Sequence, residues 1–375
     1  MRQLLDKIEK KILSNKKLKK FHPLHDALDT FLYTKNTKTN TAPHIRDSID
    51  LKRTMIFVVI ALLPALLFGM YNVGLQAGIE NPTIENCLLY GASVVIPMYM
   101  VVFAVGGLCE AIFAVARGHE INEGFLVTGF LIPLTMPPTV PLWMLGVATI
   151  FGVIIGKEIF GGTGYNIFNP ALVTRAFVFF AYPASMSGDK VWTADAATKA
   201  TPLLELSNLE KTNVYSDITY SFSDMFWGFI PGSIGETSTF CILLGAIFLI
   251  VTGIGNWRIM LGCLIGLIGT SFLLNNLGSD IPMLSLPYSY HIVMGGFAFG
   301  AVFMATDPVS ASHTNKGRWL YGMLVGFMCV LIRCINPAYP EGMMLAILFA
   351  NAFSPLIDYN VLQKHIKSRE KMYAK

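Results

Sequence analysis

The chain has 375 residues, of which 53% are hydrophobic and only 14% charged, and its mean hydropathy is +0.54. No water-soluble core needs so much apolar sequence, so the composition excludes a soluble domain and indicates a polytopic membrane protein with no nucleic-acid partner. The length alone would allow two or three domains. The apolar runs recur so regularly, however, that one membrane bundle accounts for nearly the whole chain.

The N-terminal region is basic. Its first twenty residues alternate Leu and Ile with clusters of lysine, a pattern typical of an amphipathic helix on an anionic cytoplasmic leaflet rather than of a signal peptide. A solvated helix that packs on a partner protein would show the same pattern. We interpret residues 1–53 as a basic cytoplasmic segment.

Ten apolar segments follow along the chain. A complete helical crossing needs about 20 residues, and the segments near residues 125 and 290 look too short for one. Each ends in a turn that contains proline, as do the half-helices that transporters place at the bilayer midplane. The ten segments are 54–71, 87–116, 125–137, 141–156, 170–184, 238–255, 257–276, 290–306, 318–335 and 342–357.

The basic residues are distributed unevenly between the loops. With the N-terminus inside, 23 of the 28 Lys and Arg residues lie on the inner side, and only Lys190, Lys199 and Lys211 lie on the outer side. This asymmetry predicts that both termini are cytoplasmic. It places the long polar loop 186–237 outside and leaves 359–375 as a cytoplasmic tail.

The chain contains an internal repeat. The stretch Gly129–Thr139 resembles Gly300–Ser310, and a Trp-x-x-Gly and then an Asn-Pro-Ala follow each of them in the same order. Two homologous units of five segments, 54–185 and 238–358, must be inverted in the membrane because five is an odd number. Such repeats have their functional site near the midplane. Each Asn-Pro is also expected to start a helix, with Asn as the N-cap.

The cysteines and histidines show no metal-ligand spacing. All six cysteines lie in apolar segments and are interpreted as small buried hydrophobic residues. Any redox cofactor must therefore be organic or belong to a partner.

Ionisable residues inside apolar segments are expensive to bury. They are either functional or members of internal ion pairs. Lys157 and Glu158 lie closer to the inner surface, and the simplest interpretation is that their side chains extend to the interface. The intramembrane residues of this kind are Glu110, Arg175, Asp307 and Arg333.

Five strings of sequence closely resemble the B subunits of the sodium-translocating NADH:quinone oxidoreductases, and the resemblance covers nearly the whole chain. The D subunit of the Rnf ferredoxin:NAD oxidoreductase shares the membrane fold but typically lacks the long basic N-terminal extension, so it ranks second. The resemblance implies two inverted five-helix repeats similar to urea transporters. The strings are DSIDLKR (47–53), HEINEGF (119–125), KEIFGGTGYNIFNPAL (157–172), GGFAFGAVFMATDPVSAS (295–312) and NPAYPEGMMLAILFAN (336–351).

The resemblance also implies a function. The chain would be one subunit of a multi-subunit translocase in the bacterial inner membrane, in which a partner oxidises NADH and sodium moves outward. Electrons would reach ubiquinone through FMN and riboflavin on this chain, which itself has no GxGxxG motif that opens a helix for NADH. A channel for a small neutral solute fits the inverted repeat equally well but has no need of a flavinylation motif. A structural subunit without chemistry leaves that motif and the intramembrane charges unexplained.

The resemblance to the family implies binding sites for riboflavin and for ubiquinone on this chain. Asn166 and Asn169 match riboflavin-binding asparagines, whose amides suit the pyrimidine edge of the flavin ring. Gly106 and Gly107 match a groove for the ubiquinone headgroup, with Glu110 one turn further as a proton relay. Close helix packing is the alternative role of the two glycines.

Sodium is expected to interact with carboxylates, because a hard cation prefers oxygen ligands. The resemblance implies that Glu110, Asp307 and Asp358 handle the ion, together with Asp26 at a position where the family more often has glutamate. Acids at helix ends also serve as caps.

The outer loop carries a candidate attachment site for FMN. Residues 195–201 read DAATKAT and resemble the flavinylation motif, which implies that FMN is joined through its phosphate to the hydroxyl of Thr201. A separate flavin transferase makes this bond outside the membrane, where the distribution of basic residues independently places the loop. Lys199 stands where the family usually has glycine, and Thr198 and Thr237 are the next candidate acceptors.

Overall fold

Hydrophobic α-helices dominate the computed structural model, and no β-strand occurs in the described residues. This confirms the all-α fold predicted from composition. The structure describes residues 7–9, 11–12, 14, 22–23, 25, 41–42, 51–118, 124–188, 191–192, 200–209, 217–277, 281–336 and 341–373.

The first half contains five helices whose ends follow from local sequence signals. Thr83 accepts a hydrogen bond from the Asn86 N–H at 3.3 Å before α2 begins, and Gly118, with φ of 71°, ends that helix. The helices are α1 (Leu51–Gln76), α2 (Ile84–Arg117), α3 (Gly124–Leu134), α4 (Leu142–Gly156) and α5 (Pro170–Ala181).

The second half is preceded by two short helices and includes a broken one. Near residue 290 the helix stops at Val293 and resumes at Phe297, and it then widens into a π-helical turn, Gly300–Met304. The elements are α6 (Pro202–Asn208), α7 (Phe222–Trp227), α8 (Thr239–Val251), α9 (Trp257–Asn275), α10 (Tyr288–Val293), α11 (Phe297–Phe299), α12 (Asn315–Ile335) and α13 (Met343–Tyr373).

Six of the described helices, α1, α2, α4, α9, α12 and α13, are long and apolar enough to cross a membrane. The segment near 125 forms α3, which has 11 residues and is too short for a crossing, as predicted. The last helix is longer than expected. It continues from the predicted segment to Tyr373, through most of the predicted tail, because residues 356–373 contain neither glycine nor proline.

Three helix pairs of the first half recur in the second, although the close packing of α1 on α2 is not repeated between α8 and α9. The pairs α2·α4, α4·α5 and α1·α3 of the first half correspond to α9·α12, α12·α13 and α8·α11 of the second. The halves meet through equivalent members, since α1 packs on α8 and α5 packs on α13. Two related five-helix units would produce this pattern of contacts.

The segment 186–237, predicted as a polar loop, contains a small apolar core of its own. Leu203 and Leu206 of α6 and Met225 of α7 are buried together with Leu286 and Met294. This core anchors α6, and therefore its first residues, against the broken helix of the second half.

Candidate functional site

A cleft with a volume of about 100 Å³ lies between the two halves. The start of α1, α3 and the start of α5 line one side, and the end of α8 and the turn after the π-helix line the other. We call this space the central cleft. It brings together three predicted site residues that are distant in sequence, Asn166, Asn169 and Asp307.

The two asparagines are held by the start of α5. Asn169 is its N-cap, as predicted, because its Oδ1 accepts a hydrogen bond from the Ala171 N–H at 3.0 Å. Asn166 donates from Nδ2 to the Phe168 carbonyl at 2.9 Å. No hydrogen bond among the described residues uses the Oδ1 of Asn166 or the Nδ2 of Asn169, so the pair offers one acceptor and one donor to a ligand.

Asp307 lies in the turn that follows the π-helix. Its carboxylate accepts hydrogen bonds from the Val309 N–H at 3.2 Å and from the Ser310 hydroxyl at 2.7 Å. The side chain therefore stabilises its own turn while it lines the central cleft. This contact resembles a helix cap, but it stabilises a turn, since α12 begins at Asn315 with Thr314 as its N-cap.

Lys157 and Glu158 do not extend to the interface, and that interpretation was wrong. Both side chains are buried, and the Lys157 ammonium donates to the Glu110 carboxylate on α2. Glu158 lies 3.8 Å from a guanidinium nitrogen of Arg117, and its Oε2 accepts no hydrogen bond from the described residues. Pairing across helices replaces the contact with water that both side chains would otherwise need.

The two adjacent glycines of α2 have different surroundings. A Cβ on Gly106 would lie 2.1 Å from the ring of Phe125 on α3, so this glycine is required for helix packing. A Cβ on Gly107 would meet no atom within 4 Å. Only Gly107 borders open space, one turn before Glu110.

Thr201 is the N-cap of α6, and its hydroxyl oxygen accepts a hydrogen bond from the Leu204 N–H at 3.2 Å. It lines a small cleft that also includes Trp192, Phe179 at the end of α5, and Glu341. The buried Nε1 of Trp192 has no hydrogen-bond partner among the described residues. Thr198 and Lys199 lie outside the described residues, and Thr237 is buried, which makes it a poor acceptor for a modifying enzyme.

Arg175 is the centre of a buried ion-pair network between the halves. Its guanidinium donates to Glu236 at 2.5 Å, to Glu341 and, at 3.4 Å, to the hydroxyl of Ser233. Of the two alternatives for intramembrane charges, the internal ion pair applies here. Neither Glu236 nor Glu341 was predicted from the sequence to be part of a site, although Glu341 lies in one of the family strings.

Arg333 closes the gap in the broken helix. It donates to the carbonyls of His291 at 2.6 Å and Met294 at 2.8 Å, and to the Glu341 carbonyl at 3.0 Å. These acceptors include backbone groups that the end of α10 leaves without a helical partner. Arg333 thus stabilises the break itself.

Asp358 connects α13 to the start of α12. Its carboxylate accepts hydrogen bonds from the Ser312 hydroxyl at 2.6 Å, the His313 N–H at 2.7 Å, and the N–H and hydroxyl of Thr314 at 3.0 and 2.6 Å. The described contacts are therefore those of a helix clamp. Asp26 lies outside the described residues.

The lining of the central cleft has the chemistry that suits a flat heteroaromatic ring without a phosphate. Val58, Leu131 and Phe303 provide apolar walls, and the two asparagines provide amide groups at one place. No arginine is among the described lining residues, so the cleft lacks the guanidinium fork that commonly binds phosphate.

Comparison with known proteins extends over almost the whole chain. Residues 38–367 match the model of the NQR2, RnfD, RnfE family. A protein of Yersinia pestis, named as the B subunit of a Na(+)-translocating NADH-quinone reductase, is 49% identical, over 99% of this chain and 98% of that protein. Proteins of the same name from Klebsiella pneumoniae (strain 342) and Pseudomonas paraeruginosa are 50% and 48% identical, over 99% and 98% of this chain and of those proteins.

Proposed function

This chain belongs to the NQR2, RnfD, RnfE family, and we propose that it is the B subunit of a bacterial sodium-translocating NADH:quinone reductase. The proposal is based on the similarity of this chain, along its full length, to proteins of that name. These names favour the B subunit over the Rnf subunit and over a solute channel. As one subunit of a redox complex, it works with partners that supply the electrons.

We propose that the two halves are inverted repeats in the inner membrane, with both termini in the cytoplasm. The shared pairing of helices supports this arrangement. The end of α3 packs on the outer segment, since Leu134 and Met136 accept hydrogen bonds from the N–H groups of Gly235 and Ile234. The corresponding turn of the second half instead lines the central cleft beside the basic Lys157. The two equivalent ends thus have opposite surroundings.

The central cleft is the proposed riboflavin site. The free Oδ1 of Asn166 suits a ring N–H, and the free Nδ2 of Asn169 suits a ring carbonyl. Thr201 is the proposed attachment point of FMN, near the other end of α5. This helix has 12 residues, so the two flavin positions are separated by about 18 Å of helix. The flavins supply electron transfer, and the protein supplies their orientation.

We propose that the sodium path involves Glu110, Asp307 and Asp358, together with Asp26. The position of Asp307 in the central cleft supports its assignment, because its carboxylate oxygens are hard ligands beside the proposed flavin. Asp358 would have to exchange its clamp contacts for the ion.

Two variants of the central cleft should have different effects. Asn166→Leu should remove the non-covalent flavin and leave the covalent one, since leucine cannot hydrogen-bond to the ring. Asp307→Asn should keep both flavins but change the sodium dependence of turnover. Flavin extraction and turnover at varied sodium concentrations measure these effects. Full flavin content in Asn166→Leu contradicts the riboflavin assignment, and an unchanged sodium dependence in Asp307→Asn removes that residue from the path.

The open side of Gly107 is the proposed contact with the ubiquinone headgroup, with Glu110 as the nearby acid. Gly107→Ala should change the sensitivity to quinone-site inhibitors without loss of assembly, because its Cβ meets nothing. Gly106→Ala is the matched control and should reduce the yield of assembled complex through its clash with Phe125, which typically costs about 1–3 kcal/mol. Unaltered inhibition in Gly107→Ala argues against the site.

A further inference from the structure

Lys157 is the one cation among the described residues that line the central cleft. Its side chain is 3% exposed, and a buried ammonium needs a partner to offset the loss of water. Glu110 of α2 supplies that partner. Lys157 therefore borders the cleft and bonds to an acid one turn from the open side of Gly107.

The backbone fixes the position of this lysine. Lys157 lies between the end of α4 and a 3₁₀ turn, Glu158–Phe160, and its carbonyl accepts hydrogen bonds from the N–H groups of Phe160 and Gly162, both at 3.2 Å. The ammonium is thus anchored by its backbone at one end and by Glu110 at the other.

The other charged groups nearby have partners of their own. Glu158 faces Arg117, and Asp307 bonds to its own turn. The ion-pair partner of Lys157 is therefore Glu110. Because Lys157 also lines the cleft, its charge can interact electrostatically with a ligand bound there.

We propose that Lys157 is a positioning residue that gives the central cleft a fixed positive charge, and that Glu110 stabilises this charge from the side of Gly107. The proposal rests on the proposed riboflavin site. A flavin ring gains electron density when it is reduced, and an adjacent cation favours that change. The Lys157–Glu110 pair thereby links the charge of the cleft to the proposed quinone groove.

The test measures the midpoint potential of the non-covalent flavin in the purified complex, by redox titration followed by absorbance. Lys157→Met should shift the potential in the negative direction, because the cation is lost. Glu110→Gln should also shift it in the negative direction, because the buried ammonium loses the partner that stabilises it. Lys157→Arg, which keeps the charge, should have a potential near that of the unaltered protein.

A negative shift in Lys157→Met together with an unchanged potential in Lys157→Arg supports the proposal, since a merely structural role would not follow the charge. A positive shift, or no shift in a Lys157→Met or Glu110→Gln variant that retains the flavin, overturns it. If Lys157→Met does not assemble, the sign of the shift in Glu110→Gln decides. Absence of non-covalent flavin from the unaltered complex would instead contradict the proposed riboflavin site.

Discussion

Thr201→Ala is expected to abolish the covalent flavin on this chain, because alanine has no hydroxyl to form the phosphoester. The hydroxyl oxygen of Thr201 is a hydrogen-bond acceptor in the cap of α6, so its O–H bond is not used in that contact. Mass spectrometry of the peptide from Trp192 to Lys211 should show the added FMN mass in the unaltered protein and not in the variant.

Two controls separate the modification from the capping role of Thr201. Loss of an N-cap costs about 1 kcal/mol, and asparagine caps as well as threonine does. Thr201→Asn should therefore keep α6 stable and still lack the flavin, whereas Thr201→Ser keeps both the cap and a hydroxyl. An unmodified peptide from active enzyme, or FMN mass on Thr198, contradicts the assignment.

Arg175→Met is expected to destabilise the protein by about 3–5 kcal/mol, the usual result of removing one partner from a buried ion pair. Glu236 and Glu341 would then face each other without their shared cation at the contact between the halves. The midpoint of thermal unfolding of the solubilised protein measures the effect.

A matched control makes the same chemical change at a more exposed site. Arg258 stacks on the ring of Trp257 at 4.8 Å and is half-buried, so Arg258→Met should cost about 0.5–1 kcal/mol. Adding Glu236→Gln to Arg175→Met should restore part of the stability, since one unpaired charge is removed. Equal midpoints for the two arginine variants would show that the network does not hold the halves together.

Much of the helical framework was predictable because its signals are local. Runs of apolar residues predicted where helices occur, and Asn169 followed by Pro170 predicted where α5 begins. The same prediction was wrong for Asn336, which is the C-cap of α12 and not an N-cap. The break near residue 290 was anticipated from its short apolar run. Its stabilisation by Arg333 was not, because the carbonyls it contacts belong to residues about forty positions earlier.

Roles that depend on distant neighbours were not predictable in this way. Lys157 and Glu158 were expected to reach the interface, yet Lys157 meets Glu110, 47 positions earlier in the chain. The carboxylate of Asp358 has the oxygen atoms that a sodium ligand needs, but in the structure these oxygens accept hydrogen bonds from the residues just before α12.

The sequence by itself determined the membrane class, the helices and the family strings, because hydrophobicity, capping and motif depend on residues close together in the chain. The tertiary structure decided which charges pair and which surfaces are open. Gly106 and Gly107 are neighbouring residues of the same type, but their positions differ by a rotation of about 100° around the helix axis. One therefore packs against Phe125 while the other borders open space, and only the arrangement of the helices distinguishes them.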